Sequence, residues 1–200
     1  GEDTLSLHDA LPISNYGNLS FIFAYVSLFS FIANLGVNDI LIRELVKRPE
    51  DTPKLLGTAF KLLSFGGITA FIISSISIFF IEKNPLIQVL VVLYSTIFLW
   101  SPVNVIAAYF QARVEAQRNA YAQIIGTLIT SALKIFFLIT NQGIIWLTIA
   151  FALDYVIGTA LYVYNYSRTT LKIKNWVSEK KLFNLFFYSY HSLGGSCDAL

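Results

Sequence analysis

The stretch LIQVLVVLYSTIFLWSPVNVIAAYF, residues 86–110, contains no charged side chain. About 20 apolar residues in a helix cross the ~30 Å hydrocarbon core of a bilayer, so this stretch is long enough to span it. Strands of a membrane barrel are about 10 residues long and alternate in polarity, whereas this run is longer and apolar on every side. The stretch therefore predicts a transmembrane helix.

The composition extends this conclusion to the whole chain of 200 residues. Apolar residues make up 56% of the sequence, charged residues only 13%, and the mean hydropathy is +0.63. A soluble domain carries roughly 25% charged residues, so a chain this poor in charge could not cover a water-exposed surface. We predict an all-α integral membrane protein folded as a multi-helix transmembrane bundle.

Similar apolar stretches with at most one charged residue recur along the chain, and together they predict five complete spans and the start of a sixth at Leu182. The complete spans cover residues 19–42, 62–81, 86–110, 120–139 and 143–166.

Basic residues are concentrated in alternate connections between these spans. By the positive-inside rule the basic connections lie in the cytoplasm, and the short turns around Asn84 and Gln142 lie outside. The first span then runs inward, so we expect at least one span upstream of it. The cytoplasmic basic residues are Arg43, Lys47, Arg48, Lys54, Lys61, Arg113, Arg118, Arg168, Lys172, Lys174, Lys180 and Lys181.

The two ends of the chain differ from this pattern. Residues 4–13, TLSLHDALPI, match one reading frame of a common sequencing adapter, so we interpret residues 1–13 as a non-native segment and the chain, which has no Met, as an internal piece of a longer gene. Residues 171–187 alternate lysines with large apolar residues and predict a basic interfacial helix that links two lobes. A loop followed by the start of a span is an equal alternative. Residues 188–200 form a truncated tail to which we assign no function.

Two ionisable residues inside the spans are the strongest functional signals. Lys134 and Asp154 each cost at least ~2.5 kcal/mol at mid-membrane, so both should face the interior. At 1.5 Å per residue, Lys134 lies about 7 Å and Asp154 about 16 Å from the outer end of its helix. A direct pair therefore requires Lys134 to reach toward the cytoplasm. A structural ion pair and a polar translocation path both remain open.

Small and polar residues also recur at helical spacing in four spans. We interpret Gly66, Ala70 and Gly158 as close helix packing, and the amides and hydroxyls equally as packing or as the lining of a cavity. Pro102 should kink the third span and free backbone carbonyls. The polar stripes are Ser20, Ala24, Ser27, Asn34 and Asn38; Ser74 and Ser77; Gln123, Thr127 and Thr130; and Ala150, Tyr162 and Asn165.

The sequence contains no motif typical of catalysis. It has no phosphate-binding glycine loop, no His or Cys cluster at metal-ligand spacing and no nucleophile elbow. The predicted external turns are too short to hold a catalytic loop. We therefore expect a protein that is not an enzyme, with no cofactor, no metal site and no nucleic-acid partner.

Two stretches carry a family resemblance. Residues 15–63 contain Tyr16-Gly17, Leu35-Gly36 and Arg43-Glu44, and residues 108–129 contain Phe110-Gln111 upstream of Lys134. These pairs resemble bacterial O-antigen and capsular polysaccharide flippases (Wzx-like), members of the multidrug, oligosaccharidyl-lipid and polysaccharide exporter superfamily.

The resemblance implies the amino-terminal lobe of a two-lobe exporter in the bacterial cytoplasmic (inner) membrane, crossing it several times. It would move undecaprenyl-diphosphate-linked oligosaccharide for O-antigen (lipopolysaccharide) or capsule synthesis, with a polysaccharide polymerase and chain-length machinery as partners beside the membrane lipids. Any coupling ion would be Na⁺ or H⁺. The alternatives are an ion-coupled multidrug exporter of the same fold and, more remotely, a membrane glycan-processing enzyme. The implied substrate path contains Lys134, Asp154, Asn34, Asn38 and Tyr162, and the implied cytoplasmic headgroup contacts are Arg43 and Arg113.

Overall fold

The computed structural model describes residues 3–34, 36–113, 116–140, 143–168 and Trp176, and this part of the chain is helical and contains no strand. The predicted all-α fold is confirmed. The helices are α1 (Asp3–Asn34), α2 (Val37–Lys47), α3 (Thr52–Ile81), α4 (Pro85–Ser95), α5 (Ile97–Trp100), α6 (Asn104–Ala112), α7 (Ala116–Ile139) and α8 (Gly143–Ser167), with 3₁₀ turns at Pro49–Asp51 and Ser101–Val103.

Four helical segments in the described part are long and apolar enough to cross a membrane. A fifth apolar segment, Gln123–Ile139 within α7, is shorter. The crossing predicted over residues 120–139 is therefore helical, but its membrane insertion stays a prediction. The four long segments are Tyr16–Lys47, Pro49–Ile81, Pro85–Ala112 and Gly143–Ser167.

The helices run up and down because short connections join their ends. α3 packs against α1 and α4, while α8 packs mainly against α7 and also touches α4, α5 and α6. We call the end that carries Arg48, Arg113 and Arg168 the basic end, and the end that carries Asn84 and Thr140 the turn end. These are the ends predicted to be cytoplasmic and external, respectively.

The first predicted span is two helices rather than one. α1 ends at Asn34, and α2 begins after Gly36, whose φ of 63° is left-handed. Glycine adopts this conformation without a Cβ clash, so the chain can change direction there. The prediction of a continuous helix over 19–42 missed this break because a lone glycine inside an apolar run is not by itself a stop signal.

The second span starts earlier than predicted. α3 begins at Thr52, not at Leu62, so Lys54 and Lys61 lie on a helix and not in a loop. Pro53 occupies the first turn, where a missing N–H costs nothing. Both lysine side chains are exposed near the basic end, where long cationic side chains can reach the membrane surface.

The α-helix of the third span is interrupted at Pro102, where a kink was predicted, and we call this interruption the bend. The helix tightens into the 3₁₀ turn Ser101–Val103, because proline has no N–H to donate to the carbonyl of Phe98. The Ser101 N–H binds that carbonyl instead. The freed side of the Phe98 carbonyl oxygen points at Gly67 of α3, where a Cβ would lie only 2.3 Å from it. α3 can approach this bend only because residue 67 has no side chain.

Two apolar clusters form the interior. One lies at the basic end and includes Leu41, Leu56 and Phe110; the other lies farther toward the turn end and includes Ile22 and Ile78. Large apolar side chains on the outer faces of α3 and α7 are exposed, as expected for helices surrounded by lipid. The exposed group includes Phe65, Ile72, Phe80, Leu128 and Phe136.

The polar stripes of α1 and α3 have different environments. On α3, Ala70 and Ser74 are buried, and the hydroxyl of Tyr25 lies 3.2 Å from the Ser74 carbonyl oxygen and 2.6 Å from the Ser77 hydroxyl oxygen. On α1, Ser27 is exposed and donates to a carbonyl of its own helix. Of these two stripes, the one on α3 contributes buried residues to helix packing, whereas Ser27 on α1 does not.

The predicted terminal segments lie largely outside the described residues. Residues 3–15 are helical and continue α1. Within the predicted interfacial segment 171–187, only Trp176 is described: its indole N–H donates to the Tyr166 hydroxyl at 2.9 Å, and its ring centroid is 5.6 Å from that of Phe60. Trp176 thus lies against the basic end. The predicted tail 188–200 and the start of a sixth span at Leu182 lie outside the described part.

Candidate functional site

The two charged residues predicted inside the spans form an ion pair. The ammonium of Lys134 on α7 lies 2.6 Å from Oδ2 of Asp154 on α8. The Thr130 hydroxyl donates to Oδ1 of the same carboxylate, also at 2.6 Å. The ammonium also lies 4.2 Å from the centroid of the Phe151 ring, close enough for a cation–π contact. Both oxygens of the carboxylate are therefore occupied, as a charge held within the membrane requires.

A polar cavity of about 360 Å³ adjoins this pair. α7 and α8 form most of its wall, and α4 and α6 contribute one residue each. The lining combines aromatic, amide and hydroxyl side chains with the single carboxylate of Asp154. The lining residues are Tyr94, Asn104, Gln123, Gly126, Thr127, Phe151, Asp154, Tyr155, Gly158, Thr159 and Tyr162.

The cavity occupies the half of the bundle nearer the basic end. Along α8, Asp154 lies about 16 Å from the turn end and Tyr162 about 28 Å, at 1.5 Å per residue. Lys134 starts nearer the turn end and reaches across to Asp154, but it is not among the lining residues. The ion pair thus lies beside the cavity, with its carboxylate in the wall and its ammonium outside the lining.

A hydrogen bond fixes one part of the wall. The amide nitrogen of Asn104 donates to the Tyr155 hydroxyl at 2.9 Å. Asn104 begins α6 directly after the Pro102 bend, so the bend places this amide opposite α8. Because the Tyr155 oxygen accepts here, its own proton is available to an acceptor in the cavity.

The predicted path residues do not all meet. Lys134, Asp154 and Tyr162 come together at the ion pair and the cavity. Asn34 instead donates to the Ser30 carbonyl of its own helix at 3.0 Å. Asn38 lies at the start of α2, with its side-chain oxygen buried and without a hydrogen-bond partner in the described structure. Neither asparagine is among the residues that line the cavity.

The two predicted headgroup contacts lie at the basic end. Arg43 is exposed, and its Nε is 3.7 Å from a carboxylate oxygen of the buried Glu44. The guanidinium of Arg113 lies 5.0 Å from the centroid of the Tyr109 ring and borders a small recess of about 150 Å³. Both cations are at the surface, where a phosphate could reach them.

Sequence reasoning missed five cavity residues: Tyr94, Gly126, Phe151, Tyr155 and Thr159. Three of them lie on α8 with Asp154 and Tyr162, at spacings of three, four or seven residues that place them on one face. That spacing was visible in the sequence, but aromatic residues in an apolar span do not stand out as polar residues do. Tyr94 could not be assigned because its position depends on how α4 packs against α8.

The described residues contain no group of three His, Cys, Asp or Glu side chains that could hold a metal ion. The site therefore consists of a paired charge, amides, hydroxyls and aromatic rings, and such side chains bind a polar ligand through hydrogen bonds and ring contacts.

Comparison with known proteins gives one match. The family model described as "Polysaccharide biosynthesis protein" matches residues 11–197. No curated protein and no solved structure shows a significant match to the chain.

Proposed function

Because this chain belongs to the family of polysaccharide biosynthesis proteins, we propose that it forms the amino-terminal lobe of a flippase for undecaprenyl-diphosphate-linked oligosaccharide. A role in polysaccharide synthesis or export follows from the family and from the apolar helices of this membrane protein. The lipid-linked substrate and the transport step are the proposal. They fit the resemblance of Tyr16-Gly17, Leu35-Gly36 and Arg43-Glu44 to such flippases.

The observation that carries the proposal is the polar cavity within a bundle of apolar helices. A glycan must cross ~30 Å of hydrocarbon that it cannot enter unaided. A cavity that opens alternately to each side provides a hydrated route, and such sites lie near the middle of the membrane between helices. The cavity that contains Asp154 and Tyr162 lies between helices and has the polar lining that such a route needs.

Transport in this form needs no covalent chemistry, so we propose a transporter and not an enzyme. No cofactor is required; a coupling ion, Na⁺ or H⁺, would act on an ionisable group such as Asp154. We place the protein in the bacterial cytoplasmic membrane as a multi-pass protein, with a polysaccharide polymerase and chain-length machinery as partners. O-antigen and capsule are the two products we expect.

The multidrug exporter remains the closest rival. A cavity dominated by carboxylates would favour a cationic drug, but this lining has one carboxylate, which is already paired with Lys134. The small volume of the cavity favours a small drug molecule, because the cavity cannot hold a whole oligosaccharide. The lining favours the glycan, and the size limits how much of it can enter.

The test is export in a bacterial strain that lacks its own flippase. The complete gene that contains this chain should restore surface polysaccharide, and Lys134→Ala should lower the amount about tenfold, because removing the ammonium leaves the Asp154 carboxylate unpaired within the membrane. Lys61→Ala, which removes an exposed cation outside the cavity, is the matched control and should export normally.

Protein levels in the membrane are measured for each variant by immunoblot. Failure of the complete gene to restore polysaccharide would overturn the flippase proposal. Normal export by Lys134→Ala at an unchanged protein level would remove Lys134 from the substrate path.

A further inference from the structure

We infer that the cavity between α7 and α8 binds the uncharged sugar rings of the substrate and not its diphosphate. This inference rests on the proposed function and assigns one part of the lipid-linked substrate to one site. It leaves Lys134, one of the implied path residues, as the partner of Asp154 and not as a cation for the diphosphate.

The charges of the site are the first evidence against diphosphate binding in the cavity. Lys134 pairs with a residue of the cavity wall, because Asp154 holds its ammonium at 2.6 Å. Asp154 lines the cavity, whereas Lys134 does not. A diphosphate in the cavity would therefore meet a carboxylate whose charge Lys134 already balances, so the pair supplies no net positive charge to bind it. The cavity offers no compensating positive charge on the described residues that line it.

The side chains that line the cavity are suited to a sugar ring. Sugar rings present apolar C–H faces and a rim of hydroxyls that both donate and accept hydrogen bonds. The rings of Phe151, Tyr155 and Tyr162 supply apolar faces, and the hydroxyls of the two tyrosines supply polar groups. Amides pair well with hydroxyls because they contain both a donor and an acceptor. Asn104 and Gln123 place two such amides in the wall.

One hydroxyl in this wall is already oriented. Asn104 donates to the Tyr155 oxygen at 2.9 Å, so the Tyr155 proton must point elsewhere. Because Tyr155 lines the cavity, a sugar hydroxyl oxygen there would provide an acceptor for that proton. A fixed donor of this kind lowers the entropic cost of binding.

The size and shape of the cavity also fit a sugar unit. Its volume of about 360 Å³ is near the lower limit of the ~300–1,000 Å³ typical of small-molecule sites, enough for a single sugar unit or slightly more. Gly158 opens the wall: a Cβ at this position would meet no atom within 4 Å. A side chain introduced there would extend into the space we assign to the sugar without straining the helices.

The experiment compares two lipid ligands on the protein reconstituted in nanodiscs. One is undecaprenyl diphosphate alone; the other is undecaprenyl diphosphate that carries one N-acetylhexosamine. Gly158→Leu and Asn104→Ala should each weaken binding of the sugar-bearing lipid about tenfold. Both should change the affinity for the sugar-free lipid by less than about twofold.

Gly17→Leu is the matched control, because Gly17 lies on the exposed part of α1 and a Cβ there also meets no atom within 4 Å. It should leave both affinities unchanged. Circular dichroism of each variant checks that the helices are intact. Gly158→Leu fills the cavity, whereas Asn104→Ala removes an amide from its wall.

The outcomes separate the two proposals. If both variants weaken the two lipids equally, the cavity binds the diphosphate, and the sugar assignment is wrong while the flippase proposal stands. If neither variant affects the sugar-bearing lipid, the sugar assignment is also wrong. If the unaltered protein binds neither lipid, the flippase proposal itself fails.

Discussion

Gly67 and Gly158 are both glycines in the middle of apolar helices, yet their surroundings are opposite. A Cβ on Gly67 would lie 2.3 Å from the Phe98 carbonyl oxygen and 2.8 Å from the Ser101 hydroxyl oxygen. A Cβ on Gly158 would meet no atom within 4 Å. One glycine permits contact between two helices, and the other leaves room for a ligand.

The difference extends to the two helix contacts that contain these glycines. The contact of α3 with α1 and the α4–α6 bend is closely packed, and Tyr25 adds a hydrogen bond across it. The contact of α7 with α8 contains the cavity and is held by the pair of Lys134 with Asp154. The first contact is close-packed, whereas the second is held by an ion pair and leaves a cavity between the helices. Each prediction below changes one of the two contacts and uses the other, or the surface, as its reference.

The largest effect is expected from Gly67→Ala. The new methyl group would overlap a backbone carbonyl that Pro102 and the Ser101 N–H hold in place, so it can be accommodated only if α3 moves away. We expect a loss of about 3 kcal/mol in the free energy of unfolding. Gly158→Ala is the matched control and should stabilise the protein slightly, because alanine favours a helix more than glycine does by about 0.5–1 kcal/mol.

The measurement is unfolding of the purified protein in detergent, followed by circular dichroism. Equal stabilities of the two alanine variants would contradict the close approach of α3 to the Phe98 carbonyl.

A smaller loss is expected from Asp154→Asn. The change leaves the Lys134 ammonium without its counter-charge inside the bundle. Breaking a fully buried pair costs about 3–5 kcal/mol, and we expect about 2 kcal/mol here because the Asp154 side chain is 32% exposed. The double variant Lys134→Met with Asp154→Leu should recover most of this loss, since it removes both charges.

The reference for this prediction is Asp51→Asn, which breaks the pair with Lys54 at 3.3 Å. The Lys54 side chain is 49% exposed against 16% for Lys134, so the loss should be less than about 1 kcal/mol. Unfolding is measured as before. If the double variant is no more stable than Asp154→Asn alone, charge pairing is not what joins α7 to α8.

The smallest effect is expected from Tyr25→Phe. The change removes the hydroxyl that bridges α1 to Ser74 and Ser77, and a hydrogen bond of this kind contributes about 1 kcal/mol. Tyr155→Phe should cost less than about 0.5 kcal/mol, because the Asn104 amide faces a cavity and can bind another acceptor there. Equal losses in the two variants would show that the Tyr155 hydroxyl is as enclosed as that of Tyr25.

Much of the fold could be predicted because uncharged length is a local property of the sequence. The helices, the bend at Pro102 and the inward direction of Lys134 and Asp154 all follow from residue type. The break at Gly36 and the early start of α3 could not be predicted, because conformation at single residues and helix extension beyond the hydrocarbon depend on the neighbouring helices.

The surroundings of Gly67 and Gly158 could not be predicted from the sequence. Close packing was predicted for Gly66, Ala70 and Gly158; Gly66 and Ala70 are buried, but the prediction is wrong for Gly158. The role of Gly67 was missed altogether. A glycine has no side chain whose chemistry could indicate its partner, so only the position of another helix decides whether it faces a carbonyl or a cavity.

The pairing of Lys134 with Asp154 also has an electrical consequence. A cell maintains a voltage across its membrane, and moving one elementary charge through 100 mV changes its energy by about 2.3 kcal/mol. Because the two opposite charges lie 2.6 Å apart, any movement that carries α7 and α8 together transfers almost no net charge. The voltage therefore neither drives nor resists such a movement. A step that separates the pair would release one charge into the field, and its rate would then depend on the potential of the cell.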